Sequence, residues 1–460
     1  MYNPKLHFHF TGIGGVGMSG IAEVLINLGF TVSGSDLKPI ESCSRLISLG
    51  ARVFQGHRVE NLPKEASLLV YSSAVSSDNP ELIEAKRRGI AVIPRAEVLA
   101  ELMRLKYGVA VAGSHGKTTT TSLVAAVMEA GNLDPTVIIG GVVKAMGTGS
   151  RLGKGDFLVA ESDESDRSFL LLKPTVAVVT NIDEEHLSAY NSLKDLEDSF
   201  AKFVEAVPFY GLSIFCIDDP RVRNLSMDYT KRKETYGFSP DAQVRAENLE
   251  FVDGATHFDI YHQSKKLFRL RLPMPGRHFA QNALAAVAVG LEFCVSESAI
   301  KEALESFSGV GRRLELLPVV NGITIINDYG HHPSEVKASI AAVRAGWGKT
   351  MGRLHVVFQP HRYSRTRDCF ASFLDAFSSA DTLIISDIYP ASEAPIEGVT
   401  SEKLEAAIVH PSKTYVGSLD NVIPKLLPSL NDGDFVLFLG AGSIGTLPEK
   451  LYQTLCKNPR

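Results

Sequence analysis

The chain has 460 residues, 45% of them hydrophobic, and its 47 Lys+Arg against 52 Asp+Glu give a formal net charge of -5. That near balance excludes a nucleic-acid protein built on a basic face, and 38 Gly with 22 Pro is ordinary usage that excludes a fibrous or low-complexity chain. No run approaches the roughly 18 consecutive apolar residues of a membrane span, and at about 150 residues per domain the length implies two to four domains.

The opening MYNPKLHFHFTGIGG runs straight into a strand and a glycine turn, with no room for a signal peptide. Strands LHFHFTG, FTVSGSD, ASLLVYSS and GIAVI alternate with helical patterns, and the helix AEVLAELMRLKYG closes a first segment at residue 106. A second segment, 107–312, restarts with YGVAVAG and the helix TTTTSLVAAVMEAG, and continues through DFLVAE, TVAVVTN and LSIFCIDD to the helix NALAAVAVGLEFC. The third, 313–460, carries the strands GITIIND, RLHVVFQ, DTLIISD and DFVLFLG. The expectation is three consecutive α/β domains: a Rossmann-like N-terminal domain, a central P-loop domain and a Rossmann-like C-terminal domain, with parallel sheets and crossover helices. The five cysteines, Cys43, Cys216, Cys294, Cys369 and Cys456, form no C-x-x-C pair and read as reduced thiols of a cytoplasmic protein.

Gly12, Gly14 and Gly17 form a GxGxxG between strand and helix, where backbone can approach a diphosphate seated on the helix N-terminus. Asp36 ends the second strand, where a carboxylate can accept from ribose hydroxyls. NAD and a UDP-sugar fit these features equally well, and a glycine turn that only packs helix on strand is the bland alternative. GSHGKTTTT, from Gly113 to Thr121, follows the next strand with Lys117 and Thr118 in the Gly-Lys-Thr arrangement. Such a loop cradles the phosphates of ATP or GTP, its lysine reaches the β- and γ-phosphates, and its hydroxyl meets Mg²⁺. Val111 stands where a strict Walker A has glycine. An NAD-dependent oxidoreductase has no use for this second site.

Glu161 in ESDESD and His186 in NIDEEH each follow a strand and can face the phosphate loop along the carboxyl edge of a parallel sheet. Together they suit a divalent ion, Mg²⁺ or, given the histidine, Mn²⁺; ESDESD by itself also reads as a solvated acidic loop. In the third segment, NDYGHHPSE and QPHRYSRTRD follow apolar strands. His331 and His332 point to opposite faces of an extended chain, and Arg362, Arg365 and Arg367 make a cationic loop suited to an anionic substrate end, or to surface pairing with carboxylates such as Asp368.

Taken together, TGIGGVGMSG, GSHGKTTTT, NDYGHHPSE, FQPHRYSRTRD and DIYPASEAPIEG resemble the signatures of the Mur ligase family of peptidoglycan synthesis over essentially the whole chain. Within that family they look like the branch that adds L-alanine to UDP-N-acetylmuramate. The resemblance implies an ATP-dependent ligase with a UDP-sugar domain, an ATPase domain and an amino-acid domain that close on one another, as a monomer or homodimer. It implies that Gly14, Gly15, Gly17, Asp36, His57, Ser73 and Arg95 hold the UDP-sugar. Gly113, Ser114, His115, Gly116, Lys117, Thr118 and Thr119 would hold the ATP phosphates, with Thr118, Glu161 and His186 at the metal. His278 and Asn282 match an adenine-side motif, although Phe279 stands where the family usually has Asn. Arg313 and Asp328 match positions that meet ATP, and Tyr329, His331, Arg362 and Arg365 match the alanine pocket. Lys117 and Arg313 would stabilise the transferring phosphoryl group and His331 would serve as base. Glu185 and Ser188 replace two family aspartates, and no lysine aligns with the carbamylated lysine of the sister ligases. A sister ligase adding a peptide to the same UDP-sugar is the nearest alternative.

Overall fold

Three sheets follow one another along the chain in the computed structural model, which describes residues 6–37, 40–72, 74–144, 148–184 and 189–458. The first has five parallel strands in the order Arg52–Gln55, Thr31–Asp36, His7–Thr11, Leu68–Tyr71 and Ala91–Pro94. Every residue of His7–Thr11 is buried, as expected of a central parallel strand covered on both faces. Strand order reverses on either side of it, so its carboxyl end is the switch point where an α/β sheet opens a ligand crevice. The Gly12–Gly17 loop sits there and leads into the helix Val16–Asn27.

The second sheet has ten strands, ordered Lys265–Leu272, Ala255–His262, Val244–Val252, Lys233–Gly237, Leu212–Cys216, Val176–Val179, Tyr107–Ala112, Phe157–Glu161, Thr136–Val143 and Thr148–Arg151. Its centre is parallel, with Tyr107–Ala112 between Phe157–Glu161 and Val176–Val179, and the helix Lys117–Ala130 leaves the carboxyl end of the central strand. The third sheet runs Glu315–Leu316, Thr324–Asp328, Phe435–Leu439, Leu354–Phe358, Thr382–Ser386 and Lys413–Gly417. The three-domain α/β class is the one read from the sequence, but purely parallel sheets are not. Thr136–Val143 pairs antiparallel with Thr148–Arg151, and Glu315–Leu316 with Thr324–Asp328. The three strands between 244 and 272 escaped the sequence reading because charged residues interrupt them, as in KKLFRLRL.

By packing, residues up to 247 with 259–270 and 281–308 form one compact unit, and 248–258, 271–280 and 309–460 form a second. In the first unit a single core joins the first sheet to the second, from Phe10 and Ile21 through Met103 to Ile138, Phe169 and Phe200. The helix Val16–Asn27 lies so close to Thr148–Arg151 that a Cβ on Gly20 would fall 2.9 Å from the Ser150 Cβ. Helix starts follow local chemistry: Asn79 accepts from the Glu81 amide with proline in the first turn, and Asp219 accepts from the amides of Arg221 and Val222. The second unit buries Ile323, Ile325, Val357, Phe438 and Leu451. Among the described residues no helix is long and apolar enough to cross a membrane.

Candidate active site

The phosphate loop needs glycine at two positions. Gly113 has φ +140 and a Cβ there would lie 2.0 Å from Thr180 Oγ1; Gly116 has φ +80 and a Cβ 2.8 Å from Asn282 Oδ1. Asn282 thus lies directly against the loop at Gly116. His115 is fixed from below: its amide donates to Asn181 Oδ1 at 2.8 Å and its Nε2 lies 2.9 Å from Asp183 Oδ2. Lys117 Nζ donates to the carbonyls of Gly113 and Ser114 and to both oxygens of Glu164, at 2.8 and 3.1 Å. Burial opposes its charge, but the carboxylates of Glu164, Asp163 and Glu161 outweigh burial and hold the ammonium protonated well above the usual lysine range. Glu164 is itself driven upward by burial and drawn back by Lys117; the ammonium faces three carboxylates, so the pair is ionic.

Thr118, one residue on, donates to Glu161, whose two oxygens each lie 3.1 Å from Oγ1, and the Gly140 amide donates to the same carboxylate at 2.9 Å. A hydroxyl and a carboxylate meeting at the end of a parallel strand form a hard oxygen donor set of the kind Mg²⁺ takes. His186, expected beside them, and Ser73, expected at the UDP-sugar, lie outside the described residues, as do Glu185 and Ser188.

Arg95 reaches over the first glycine loop, so that a Cβ on Gly17 would fall 2.8 Å from its Nη1. One cleft of about 260 Å³ is lined by Gly15, Gly17 and Arg95 on one side and by Gly140, Glu161 and Asp163 on the other. The sequence reading gave the glycine loop with Arg95 and Glu161 separate binding roles; in the fold they line one cleft. Asp36 Oδ2 accepts from the Gly14 amide at 2.7 Å, which ties the loop to the second strand, and the Gly56 amide donates to the Asp36 carbonyl, bringing His57 alongside. Beneath them, and unsuspected from sequence, lies Glu81. It is fully buried and accepts hydrogen bonds from Ser35, Thr11 and Asn61. Burial would raise it, but hydrogen bonds from His9, Ser35 and Asn61 outweigh that and hold it at about 2.

In the second unit, Asp328 ends the strand Thr324–Asp328 and accepts from the Leu314 and Gly330 amides and the Ser339 hydroxyl. It therefore pins the backbone that carries Arg313, whose guanidinium stacks on the Tyr329 ring 5.0 Å away. His331 Nδ1 lies 3.0 Å from the Tyr329 carbonyl. A carbonyl only accepts, so Nδ1 donates that bond, and Glu335 Oε2 lies 3.3 Å from the same nitrogen. Glu335 receives the His331 and His332 amides and caps the helix Pro333–Trp347. His361 is held to about 3 by burial and by the neighbouring His331 and Arg365, so it stays neutral, and its ring packs against that of His331 5.5 Å away. Arg365 Nη1 lies 3.2 Å from His361 Nδ1, and Arg362, at φ +69, turns the chain into the short helix Tyr363–Asp368. Tyr329, His331 and the arginine loop thus share one edge of the third sheet. His278 is half-buried, and desolvation keeps it neutral at about 4, with Glu335 and Arg313 as its charged neighbours and Phe279 buried beside it.

Sequence reasoning missed Glu164, Glu81, Glu335, His361 and Arg312. Glu164 was inside ESDESD, read only as an acidic string. Arg312 donates to the carbonyls of Gly440 and Gly442, a contact across 128 residues that no local pattern announces.

Comparison with known proteins agrees with this geometry. Residues 7–107 match the family model described as Mur ligase family, catalytic domain, residues 111–290 the Mur ligase middle domain, and residues 312–442 the Mur ligase, glutamate ligase domain. The chain is 49% identical over 462 residues to the UDP-N-acetylmuramate--L-alanine ligase of Geotalea daltonii, covering 100% of both, and 50% identical to that of Geobacter sulfurreducens, covering 96% of each. The crystal structure of UDP-N-acetylmuramate-alanine ligase from Thermotoga maritima superposes with a TM-score of 0.84 at 26% identity, over 98% of this chain and 100% of that one. Its sequence motifs, its three sheets and these matches along its full length make the chain a member of the Mur ligase family.

Proposed function

We propose that the protein joins L-alanine to the lactyl carboxylate of UDP-N-acetylmuramate, consuming ATP and releasing ADP and phosphate through an acyl-phosphate intermediate. The observation that carries this reading is the shared cleft: Gly15, Gly17 and Arg95 of the UDP-sugar side line the same space as Glu161, which is bonded to Thr118 of the phosphate loop. A carboxylate and a γ-phosphoryl group can meet there. The choice of L-alanine rests on the relatives named above and on the arginine loop at the edge of the third sheet.

The chemistry follows from the residues. A carboxylate resists attack by an amine because oxide is not a viable leaving group. The lactyl oxygen therefore attacks the γ-phosphorus, the β–γ bridging bond breaks, and ADP departs. Backbone amides of residues 113–118 cradle the phosphates, and Lys117 stabilises the charge that spreads over the transferring group. Thr118 and Glu161 would hold Mg²⁺, which when bound neutralises phosphate charge. Arg95, over the loop at Gly17, holds the anionic sugar nucleotide. In the second step the alanine carboxylate is held by Arg362 and Arg365, and the His331 Nε2 removes a proton from the ammonium. The free amine attacks the acyl carbon, and the tetrahedral intermediate expels phosphate as the amide forms.

The deciding experiment measures phosphate release by the purified protein with Mg-ATP, UDP-N-acetylmuramate and L-alanine, omitting each in turn. Release that needs all three, with an amide product of the expected mass, is the outcome this reading requires. Release with a tripeptide and none with alanine would replace it with the peptide-adding ligase.

A further inference from the structure

The polar groups under the first sheet's carboxyl edge form a chain whose proton positions are forced. Glu81 has no exposed surface and accepts from Ser35 Oγ at 2.6 Å, Thr11 Oγ1 at 2.9 Å, Asn61 Nδ2 at 3.0 Å and the Arg58 amide at 3.2 Å, with His9 Nε2 3.4 Å away. Surrounded by donors, and held at about 2, it is a carboxylate with no proton to give. A serine hydroxyl has one proton, and Ser35 delivers it to Glu81. The other neighbour of Ser35 Oγ is His57 Nδ1 at 2.8 Å, which must then be the donor of that bond. In its neutral form His57 is left with a bare Nε2, which makes no hydrogen bond to any described residue. The same logic runs behind it: His9 gives its Nε2 proton toward Glu81, Ser33 donates to His9 Nδ1 at 2.9 Å, and His7 Nε2 donates to Ser33 at 2.8 Å. Five side chains thus share one orientation of protons.

His57 stands at the mouth of this chain, 14% exposed, directly beyond the strand Arg52–Gln55 whose last residue pairs with Asp36. We propose that Glu81, acting through Ser35, holds His57 as the Nδ1–H tautomer so that its Nε2 accepts a hydrogen bond from a donor of the uridine moiety, either the uracil N3–H or a ribose hydroxyl. This rests on the first sheet binding the UDP part of the substrate. It makes Glu81 and Ser35 positioning residues, and it explains why a carboxylate is buried in a domain that has no chemistry to perform. A site built to accept a proton rejects a base that offers a lone pair in the same place, so the relay selects uridine over cytidine if the N3–H is the donor.

The test uses the full chain with ¹⁵N-labelled histidine, the His57 resonances being assigned by their loss in His57→Asn. In the neutral form of the ring the expected spectrum has Nδ1 protonated and Nε2 bare, with Nε2 shifting when UDP is added. A protonated Nε2 would overturn the proposal without any variant having to fold. Ser35→Ala should release the tautomer and raise the KM for UDP-N-acetylmuramate about tenfold, the scale of one lost hydrogen bond, while leaving the KM for ATP unchanged. Binding of UDP, N3-methyl-UDP, 2′-deoxy-UDP and 3′-deoxy-UDP then identifies the donor. Weaker binding of the first analogue assigns the base and of either deoxy analogue the ribose; equal binding of all four overturns the contact. Failure of UDP itself to bind would instead remove the reading on which the proposal stands.

Discussion

Lys117 and Glu164 form a buried ion pair at the mouth of the phosphate loop: the ammonium nitrogen lies 2.8 Å from one carboxylate oxygen, with Lys117 13% and Glu164 1% exposed. The nucleotide must draw this lysine away from a carboxylate that already satisfies it. Glu164→Gln should therefore lower the KM for ATP by about three- to tenfold, since one competing charge is gone. Lys117→Ala should abolish acyl-phosphate formation and also lower the melting temperature, because an unpartnered buried carboxylate costs about 3–5 kcal/mol. Adding Glu164→Ala to it should restore melting but not turnover. A Lys117→Ala protein of wild-type stability would contradict the ion pair.

Gly17→Ala probes the UDP-sugar wall. Its new methyl would meet the mobile end of Arg95, which can move aside, so folding should survive while the guanidinium leaves its place. The KM for UDP-N-acetylmuramate should rise about tenfold and that for ATP should not change. Steady-state kinetics with each substrate varied in turn checks both halves.

His331→Asn should stop the second half-reaction and spare the first. Loss of a general base costs about a hundredfold or more in kcat. Acyl phosphate, trapped as the alcohol by borohydride, should accumulate in the variant; its absence would place His331 in the first step instead.

Acid stability should report Glu81. Its pKa in the folded protein lies at about 2, below the ordinary 4.5, so the stability it contributes is present above pH 4.5 and is lost as pH falls toward 2. The amount is about 3–4 kcal/mol, from two and a half pKa units at about 1.4 kcal/mol each. Glu81→Gln should lower stability at neutral pH and flatten its dependence below pH 4.5. Chemical denaturation at pH 7 and pH 3 measures the difference.

Much of the site was legible because phosphate-binding loops are local. Gly113 to Thr118 lie in one string, and backbone geometry forces glycine at two of those positions, so a reader of the string sees the loop. Glu161 was legible through its place at the end of a strand. What could not be read were partners joined only by the fold. Glu81 meets Ser35 across 46 residues, and nothing around it in DNPELIEA distinguishes it from a helix-surface glutamate. The strands between 244 and 272 were hidden for a related reason, since one exposed face breaks the apolar run that marks a buried strand. Parallel order failed at the sheet edges, where a short connection pairs neighbouring strands antiparallel without a crossover.

The contact between Gly20 and Ser150 has a consequence for recombination. A hydrogen at position 20 lets the helix Val16–Asn27 settle against the strand Thr148–Arg151 of the second sheet, and any larger side chain there would have to push the two apart. The two domains are therefore not interchangeable parts. A chimaera that takes its first hundred residues from one relative and the rest from another would inherit the fit only if both parents carry small residues at these two places. Exchanges cut inside 107–150 would separate the partners, whereas an exchange that carries residues up to 151 as one block would keep them together.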